Sequence, residues 1–439
     1  MTSPPQTPST TRPQSPPISL AWLVWGIGAA LYFVGFYQRV APAVITAELS
    51  QAFSLTAAGL GNMSAFYFYS YVAMQIPTGL LADRFGPRIL LTCGATVAAC
   101  GTAVFAMAQD VFWANAGRLM IGGSVGVAFV AMLKLAAHWM PSRQFALASA
   151  AALAVGVFGA VAAGAPLRLL VDTFGWRNIM WASAAFTLLV AFLAWWVVRD
   201  DPADRQYLSY SNHHTENNTQ GVWAGLIEVL SYRNTVLLFF LSGSMTGLVL
   251  TFAGLWGVPF LTTHYGVTQT FAAGLCSTMM VTWAFGTLVF STLSDRIGKR
   301  RPLYIGGVIA ALSLWSILIY TKIPSTLMLT ALVACIGFCA GSFIITFAFA
   351  KESVPARLAG TASGVANMGV ISGPMLLQPL VGIALDRSWQ GTLGTGAFAG
   401  KRVFEFAAYS QAFSMMLVWG ALTIVLLLFT RETNCRQQT

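Results

Sequence analysis

The feature that most limits this chain is a short charged bend between two long apolar runs, Gly79–Arg88, which returns at Ser291–Arg300. The first copy carries Asp83, Arg84, Gly86 and Arg88; the second carries Asp295, Arg296, Gly298, Lys299 and Arg300. An acid and several bases in so few residues do not sit in hydrocarbon. Each bend therefore lies at a membrane surface and joins two spanning helices. Two such bends in matching places mean that the chain was built twice, an organisation common among secondary transporters.

Composition agrees. The 439 residues are 56% hydrophobic and only 9% charged, with mean hydropathy +0.69, whereas a soluble domain carries roughly 25% charged residues. The fold class is an all-α membrane protein. A net charge of +10 would suggest nucleic acid in a soluble protein; here it reflects the Lys and Arg that collect in cytoplasmic loops, and no nucleic acid is expected. Five of the six cysteines fall inside apolar runs, with no His near the Cys335/Cys339 pair. They read as packing residues, so no metal or other cofactor is expected.

Residues 1–19 hold six prolines and read as a disordered tail without a secretory signal. The first span runs over about Leu20–Ile45. Apolar runs follow near 57–82, 89–108, 112–140, 145–171 and 178–198, then near 235–262, 268–293, 303–323, 327–350, 359–385 and 406–430. Each reaches the ~20 residues that a spanning helix needs. The expected organisation is a tail over 1–19, a six-helix bundle over 20–198, a linker over 199–234, a second bundle over 235–430 and a tail over 431–439.

If the tail is cytoplasmic, that side collects fourteen of the Lys and Arg residues in loops and the other side five. The excess puts both termini and the linker in the cytoplasm. Asp200-Asp201-Pro202 ends the sixth span, and Val222–Tyr232 is amphipathic enough to lie on the membrane surface. His213-His214 lacks further ligands and reads as solvated loop. Asn217–Thr219 fits a glycosylation acceptor on the wrong side of the membrane. A second motif pair, Pro141-Ser-Arg143 and Pro355-Ala-Arg357, recurs at an offset of 214 residues (141 to 355).

These residues resemble the major facilitator superfamily. Gly79, Asp83, Arg84, Gly86 and Arg88 match its loop signature, with Pro87 in place of a base, and the second copy has Ser291 for the first glycine. Arg118 with Gly122 and Gly126 is similar to its fourth-helix pattern, while Gly156, Gly159, Gly164 and Pro166 only loosely resemble the antiporter motif of the fifth. Tyr37-Gln-Arg39-Val-Ala-Pro and Gly360-Thr-Ala-Ser-Gly364 resemble bacterial carriers of organic anions or sugar phosphates and lysosomal dipeptide carriers. The resemblance implies two pseudo-symmetric six-helix bundles that rock around a central cavity. It also implies a conformational latch made of Gly79, Asp83, Arg84, Gly86, Arg88, Asp295, Arg296, Gly298 and Arg300. Asp83 would pair with arginines and face the start of helix 11, and Asp295 would face the start of helix 5. The rival reading is that these charges only fix topology.

Four cations stand inside the spans, Arg39, Arg118, Lys134 and Arg168, and no Asp or Glu lies deep in any span. A buried lone cation costs at least ~2.5–3.5 kcal/mol, so cations without fixed partners imply a neutraliser. Lys134 and Arg168 are near enough to span ends to snorkel. Arg118 is equally well read as a structural bond to the helix 1 backbone, the role the resemblance implies. Arg39 resembles the helix 1 cation of anion carriers, and its planar fork suits a carboxylate or phosphate. With Thr251 at the repeat-related position, one dominant cation favours a monocarboxylate or a zwitterion over a doubly charged phosphate.

The substrate-binding candidates are Arg39, Tyr37, Tyr67, Tyr71, Gln75 and Arg118, with Trp256, Asn367 and Gln378 from the second half. Tyr67, Tyr71 and Gln75 follow helical spacing. An interfacial aromatic belt is the rival reading for the tyrosines. The expected function is secondary active transport of a small organic anion in a bacterial inner membrane by rocker-switch alternating access. A multidrug or metabolite exporter is the alternative. No convergent nucleophile, base or metal set suggests an enzyme. The expected partners are a small anionic substrate and the lipid bilayer, with protons as a candidate coupling ion, and the expected state is a monomer.

Overall fold

The computed structural model describes residues 15–210, 222–393 and 402–437. Residues 1–14 of the expected tail, His213-His214, Asn217–Thr219 and Lys401 lie outside the described residues. Eleven continuous helical stretches are long and apolar enough to cross a membrane. One of them, Gln75–Met107, is two helices that meet at Gly86, whose φ of +76° no helix interior allows. Its first part continues Ala57–Ala73 across Met74. The spans among the described residues are therefore twelve.

We number them α1 (Ile18–Val40), α2 (57–85), α3 (87–107), α4 (Val111–Trp139), α5 (Ser142–Phe174), α6 (Trp176–Val197), α7 (Arg233–Tyr265), α8 (Gln269–Ile297), α9 (Arg301–Tyr320), α10 (Thr326–Glu352), α11 (Ala356–Arg387) and α12 (Phe406–Phe429). Pro42 cannot continue α1, which tightens into a 3₁₀ turn at Ala41–Val44. At the corresponding place α7 widens into a π turn, Phe252–Trp256. The two irregular turns pack on each other.

The halves repeat one pairing scheme. α1 packs on α5, α2 on α4, and α3 on α4 and α6; likewise α7 packs on α11, α8 on α10, and α9 on α10 and α12. Glycines allow the closest of these approaches. A Cβ at Gly156 would press on Tyr32 and Phe36, and one at Gly159 would strike the Phe33 carbonyl of α1. In the second half Gly369 and Gly373 of α11 lie against backbone of α7, where Gly243 and Gly247 answer them at the same spacing.

Call the end that carries the 199–234 linker the linker face, and the other the far face. Between the halves, α2 and α11 touch at the far face. A Cβ at Gly61 would strike the Gln378 carbonyl, and one at Gly382 the Ala57 carbonyl. α5 and α8 meet near the same face, where a Cβ at Gly164 would strike the Ser277 hydroxyl. At the linker face α2 and α11 part: a Cβ at Gly79 of α2, or at Gly360 or Gly364 of α11, would meet nothing within 4 Å. The bundle is shut at the far face and splayed at the linker face.

The amphipathic stretch forms a helix, Val222–Ser231, docked on α7 and α11. Its Glu228 pairs with Arg357 at the start of α11, and that guanidinium holds the Glu228 carboxyl below its usual range.

Candidate functional site

Arg39 stands one residue before the end of α1, and only 5% of it is exposed. Its guanidinium carbon lies 4.4 Å from the centre of the Phe36 ring, 5.1 Å from Tyr71 and 5.6 Å from Tyr67. Tyr67 and Tyr71, one helical turn apart on α2, stack with centroids 6.0 Å apart. The Tyr67 hydroxyl donates to the Gly35 carbonyl (2.9 Å), which fixes the ring. Three π faces stabilise the cation, but they do not neutralise it. No carboxylate lies within ion-pair distance of Arg39 among the described residues, and its buried Nε has no hydrogen-bond partner.

Of the other three intramembrane cations, Lys134 and Arg168 are neutralised by acids, while Arg118 is held by backbone carbonyls and its buried Nε, like that of Arg39, has no partner. Arg118 donates Nη1 to the Gln38 carbonyl (2.7 Å) and Nη2 to the Ser64 carbonyl (3.4 Å), and lies 5.2 Å from the Tyr67 ring. The expectation of four cations without fixed partners is corrected for two of them. Lys134 pairs with Asp83 (2.5 Å) and donates to the Ala82 carbonyl (2.9 Å). Arg168 pairs with Glu48 (2.8 Å) and Asp172, and donates to the Val44 carbonyl (2.7 Å). Residues at helix ends supplied the missing anions, so neither side chain needs lipid phosphate.

The structure divides the remaining candidates. Gln75 follows Tyr71 on the same stripe of α2 and accepts a hydrogen bond from Asn367 Nδ2 of α11 (2.7 Å). That stripe thus leads from the Arg39 box to the interface between the halves. Tyr37 is not in the box; it projects from the neighbouring stripe of α1 and stacks on Phe33 at 6.4 Å. Trp256 and Gln378 lie closer to the far face. The indole of Trp256 donates to the Gln378 carbonyl (3.1 Å), and Gln378 Nε2 donates to the Leu250 carbonyl (3.0 Å). Gln378 Oε1 is buried without a partner. Phe36 is the box residue the sequence reading missed. Its spacing of three residues before Arg39 on a helix was the available signal.

The latch residues lie at the linker face. Among the described residues Asp83 pairs with Lys134 of its own half, not with an arginine, and makes no hydrogen bond to the start of α11. Asp295 pairs with Arg300 (2.6 Å) and not with the start of α5. Among the described residues both expected cross-bundle contacts are absent, because this face is splayed. Arg84 lies over Phe85 at 5.4 Å, Arg88 lies over Trp195 at 4.3 Å, and Arg296 is exposed. Gly86 and Gly298 hold positive φ (+76° and +72°) where each chain turns between spans. Two acids finish these turns, Asp200, read in the sequence only as part of the stop to the sixth span, and Glu432, not singled out there. Asp200, just past α6, accepts from the Arg88 N–H (2.6 Å). Glu432, just past α12, accepts from the N–H groups of Arg300 (2.9 Å) and Arg301 (2.8 Å). The recurring Arg199-Asp200 and Arg431-Glu432 pairs were their signal.

Known proteins are similar to this chain over much of its length. "Uncharacterized transporter YybO" of Bacillus subtilis is 29% identical over 53% of this chain and 53% of its own, so that match spans about half of either protein. "Probable sulfoacetate transporter SauU" of Cupriavidus necator is 24% identical over 86% of this chain and 92% of its own. "Probable galactarate/D-glucarate transporter GudP" of Bacillus subtilis is 20% identical over 95% and 96%. A solved bacterial homolog of the human lysosomal transporter Spinster, inward-facing and occupied, superposes with TM-score 0.70 at 16% identity, covering 92% of this chain and 95% of that one. The sequence model of the Major Facilitator Superfamily matches residues 24–378. With a match over most of its length, the chain belongs to the major facilitator superfamily and is a transporter, not an enzyme.

Proposed function

We propose that the chain carries a small organic anion, a carboxylate or a zwitterion, and that Arg39 takes its negative group. One observation carries this reading: of the four cations inside the spans, Arg39 alone has neither a carboxylate nor a backbone carbonyl bonded to it among the described residues. An apolar interior makes an uncompensated guanidinium costly, and a passenger carboxylate relieves that cost through charge-assisted hydrogen bonds. Tyr67 and Tyr71 offer ring faces beside it, and Gln75 and Asn367 offer amides at the seam between the halves. The names of relatives, a sulfoacetate carrier and a galactarate/glucarate carrier, support the same passenger class.

Transport in this reading is secondary and alternates access by rocking of the 20–198 and 235–430 bundles. The excess of Lys and Arg makes the linker face cytoplasmic, in a bacterial inner membrane, so the described conformation is open to the cytoplasm. On closure of that face Asp83 leaves Lys134 for the start of α11, where amides and the helix dipole receive a carboxylate. The working unit is a monomer. The test is uptake into proteoliposomes. A labelled carboxylate enters with the parent chain, and entry fails with Arg39→Ala at equal reconstitution. Unchanged uptake in Arg39→Ala removes the reading, and resistance to cationic drugs unaffected by the variant favours the exporter.

A further inference from the structure

We infer that Asp386 is the latch of the far face, and that Arg402 keeps its charge partnered when the latch lets go. Asp386 ends α11 in the second half, and 19% of its side chain is exposed. Its two oxygens leave their own half. Oδ1 accepts from the Ala57 N–H (3.1 Å) and Oδ2 from the Ala58 N–H (2.8 Å), the first amides of α2.

Those amides need an outside partner for a local reason. The chain before α2 is not helical, with Ser54 at φ +51° and Thr56 extended, so no carbonyl stands one turn back. Thr56 caps its own helix by accepting from Gly59 N–H (3.1 Å), which leaves the two preceding amides open. The N-terminus of α2 is thus capped by both halves together, and the share of the second half is a charged one. The fit has no slack. One turn below Asp386, Gly382 lies against the Ala57 backbone, and one turn further Gly61 lies against Gln378.

When α2 and α11 part at this face, Asp386 loses both amides. It does not lose Arg402, whose Nη1 lies 3.0 Å from Oδ1 and whose guanidinium rests over Trp389 at 4.3 Å. Arg402 and Trp389 travel with the second half. The carboxylate therefore has one permanent partner and one conditional partner, and only the conditional one must be broken to open the face. The inference rests on separation of the halves at this face, not on the charge of the passenger.

Two cysteine reporters read it without substrate. Ser50→Cys lies in a far-face cleft of about 470 Å³ that Arg402 also lines; Gly364→Cys lies in the open space at the linker face. Maleimide labelling rates are measured on the full chain in nanodiscs, after subtracting the rate of the chain without a reporter. Asp386→Asn removes the charge of the cap, so labelling at Ser50→Cys rises about tenfold while labelling at Gly364→Cys falls. Asp386→Glu, which keeps the charge, stays near the parent. Arg402→Gln acts in the opposite sense: it strands the acid on opening, and labelling at Ser50→Cys falls. Unchanged rates in Asp386→Asn overturn the latch, as does movement of the rates in one direction by both variants. If Asp386→Asn yields no monodisperse carrier, Arg402→Gln decides, and the absence of a fall at Ser50→Cys overturns the proposal. Failure of the anion reading would leave all these rates untouched.

Discussion

The two copies of the charged turn have nearly the same sequence and opposite surroundings. In the first, 76% of the Asp83 side chain is exposed, and its single ion pair among the described residues is to Lys134, itself one-third exposed. In the second, Arg300 is buried and gripped on all sides. Its Nε and Nη2 reach Glu352 (3.2 and 2.6 Å), and its Nη1 reaches Asp295 (2.6 Å) and Ser294 (3.0 Å). Thr433 donates to Glu352 (2.6 Å), and Glu432 caps α9 beside it. Burial works against the charge of Arg300, but the hydrogen bonds to Glu352 and Asp295 carry its pKa upward, so it stays charged. The shared part is the cap from the acid after each sixth helix, Asp200 or Glu432. The difference lies in the end of the fourth helix of each half, where Glu352 occupies the position 214 residues beyond His138. A carboxylate there locks the second turn into its own half, whereas His138 engages the Asp200 carbonyl and Asp201 and leaves the first turn loose. Duplication therefore yielded one fixed turn and one free to change partners.

The comparison is broken most directly at the buried end. Glu352→Ala leaves Arg300 without its main counter-charge, which costs about 3–5 kcal/mol. The expected outcome is a large fall in thermal stability or loss of folded protein from the membrane, read by size exclusion and melting. A melting curve equal to the parent would mean that the second turn is no more fixed than the first. Asp83→Asn removes an exposed pair, so stability changes by no more than ~1 kcal/mol, yet transport falls several-fold, measured as initial uptake rate at matched protein. Unchanged transport would leave the first turn a topology signal only. The caps sharpen the likeness of the two turns: Asp200→Ala and Glu432→Ala should each cost about 1 kcal/mol. A much larger effect from one would show that the helices starting at α3 and α9 are held differently.

Much of the fold was legible because apolar run length and charged loops are one-dimensional signals. The predicted spans fall on the observed helices within a few residues. What stayed hidden was pairing across distance. Glu48 meets Arg168 from 120 residues away, and nothing in either neighbourhood announces it. Asp172, four residues after Arg168, was readable as a helical pair and was overlooked. Asp386 lay one residue beyond the predicted end of α11. In the site, helical spacing joined Tyr67 and Tyr71, whose rings stack, but it could not tell which stripe of α1 faces them. Tyr37 therefore entered the candidate set, and Phe36 did not. Trp256 depends on the π turn of α7, which Gly254, Gly257 and Pro259 mark as irregular without showing which way the indole turns.

The charge of Arg39 is tested most directly by ligand-induced thermal stabilisation of the purified chain against a panel of small carboxylates, sulfoacetate and glucarate among them. At least one anion should raise the melting temperature of the parent, and the same anion should leave folded, monodisperse Arg39→Gln unchanged. Equal stabilisation of parent and variant would contradict the role given to Arg39.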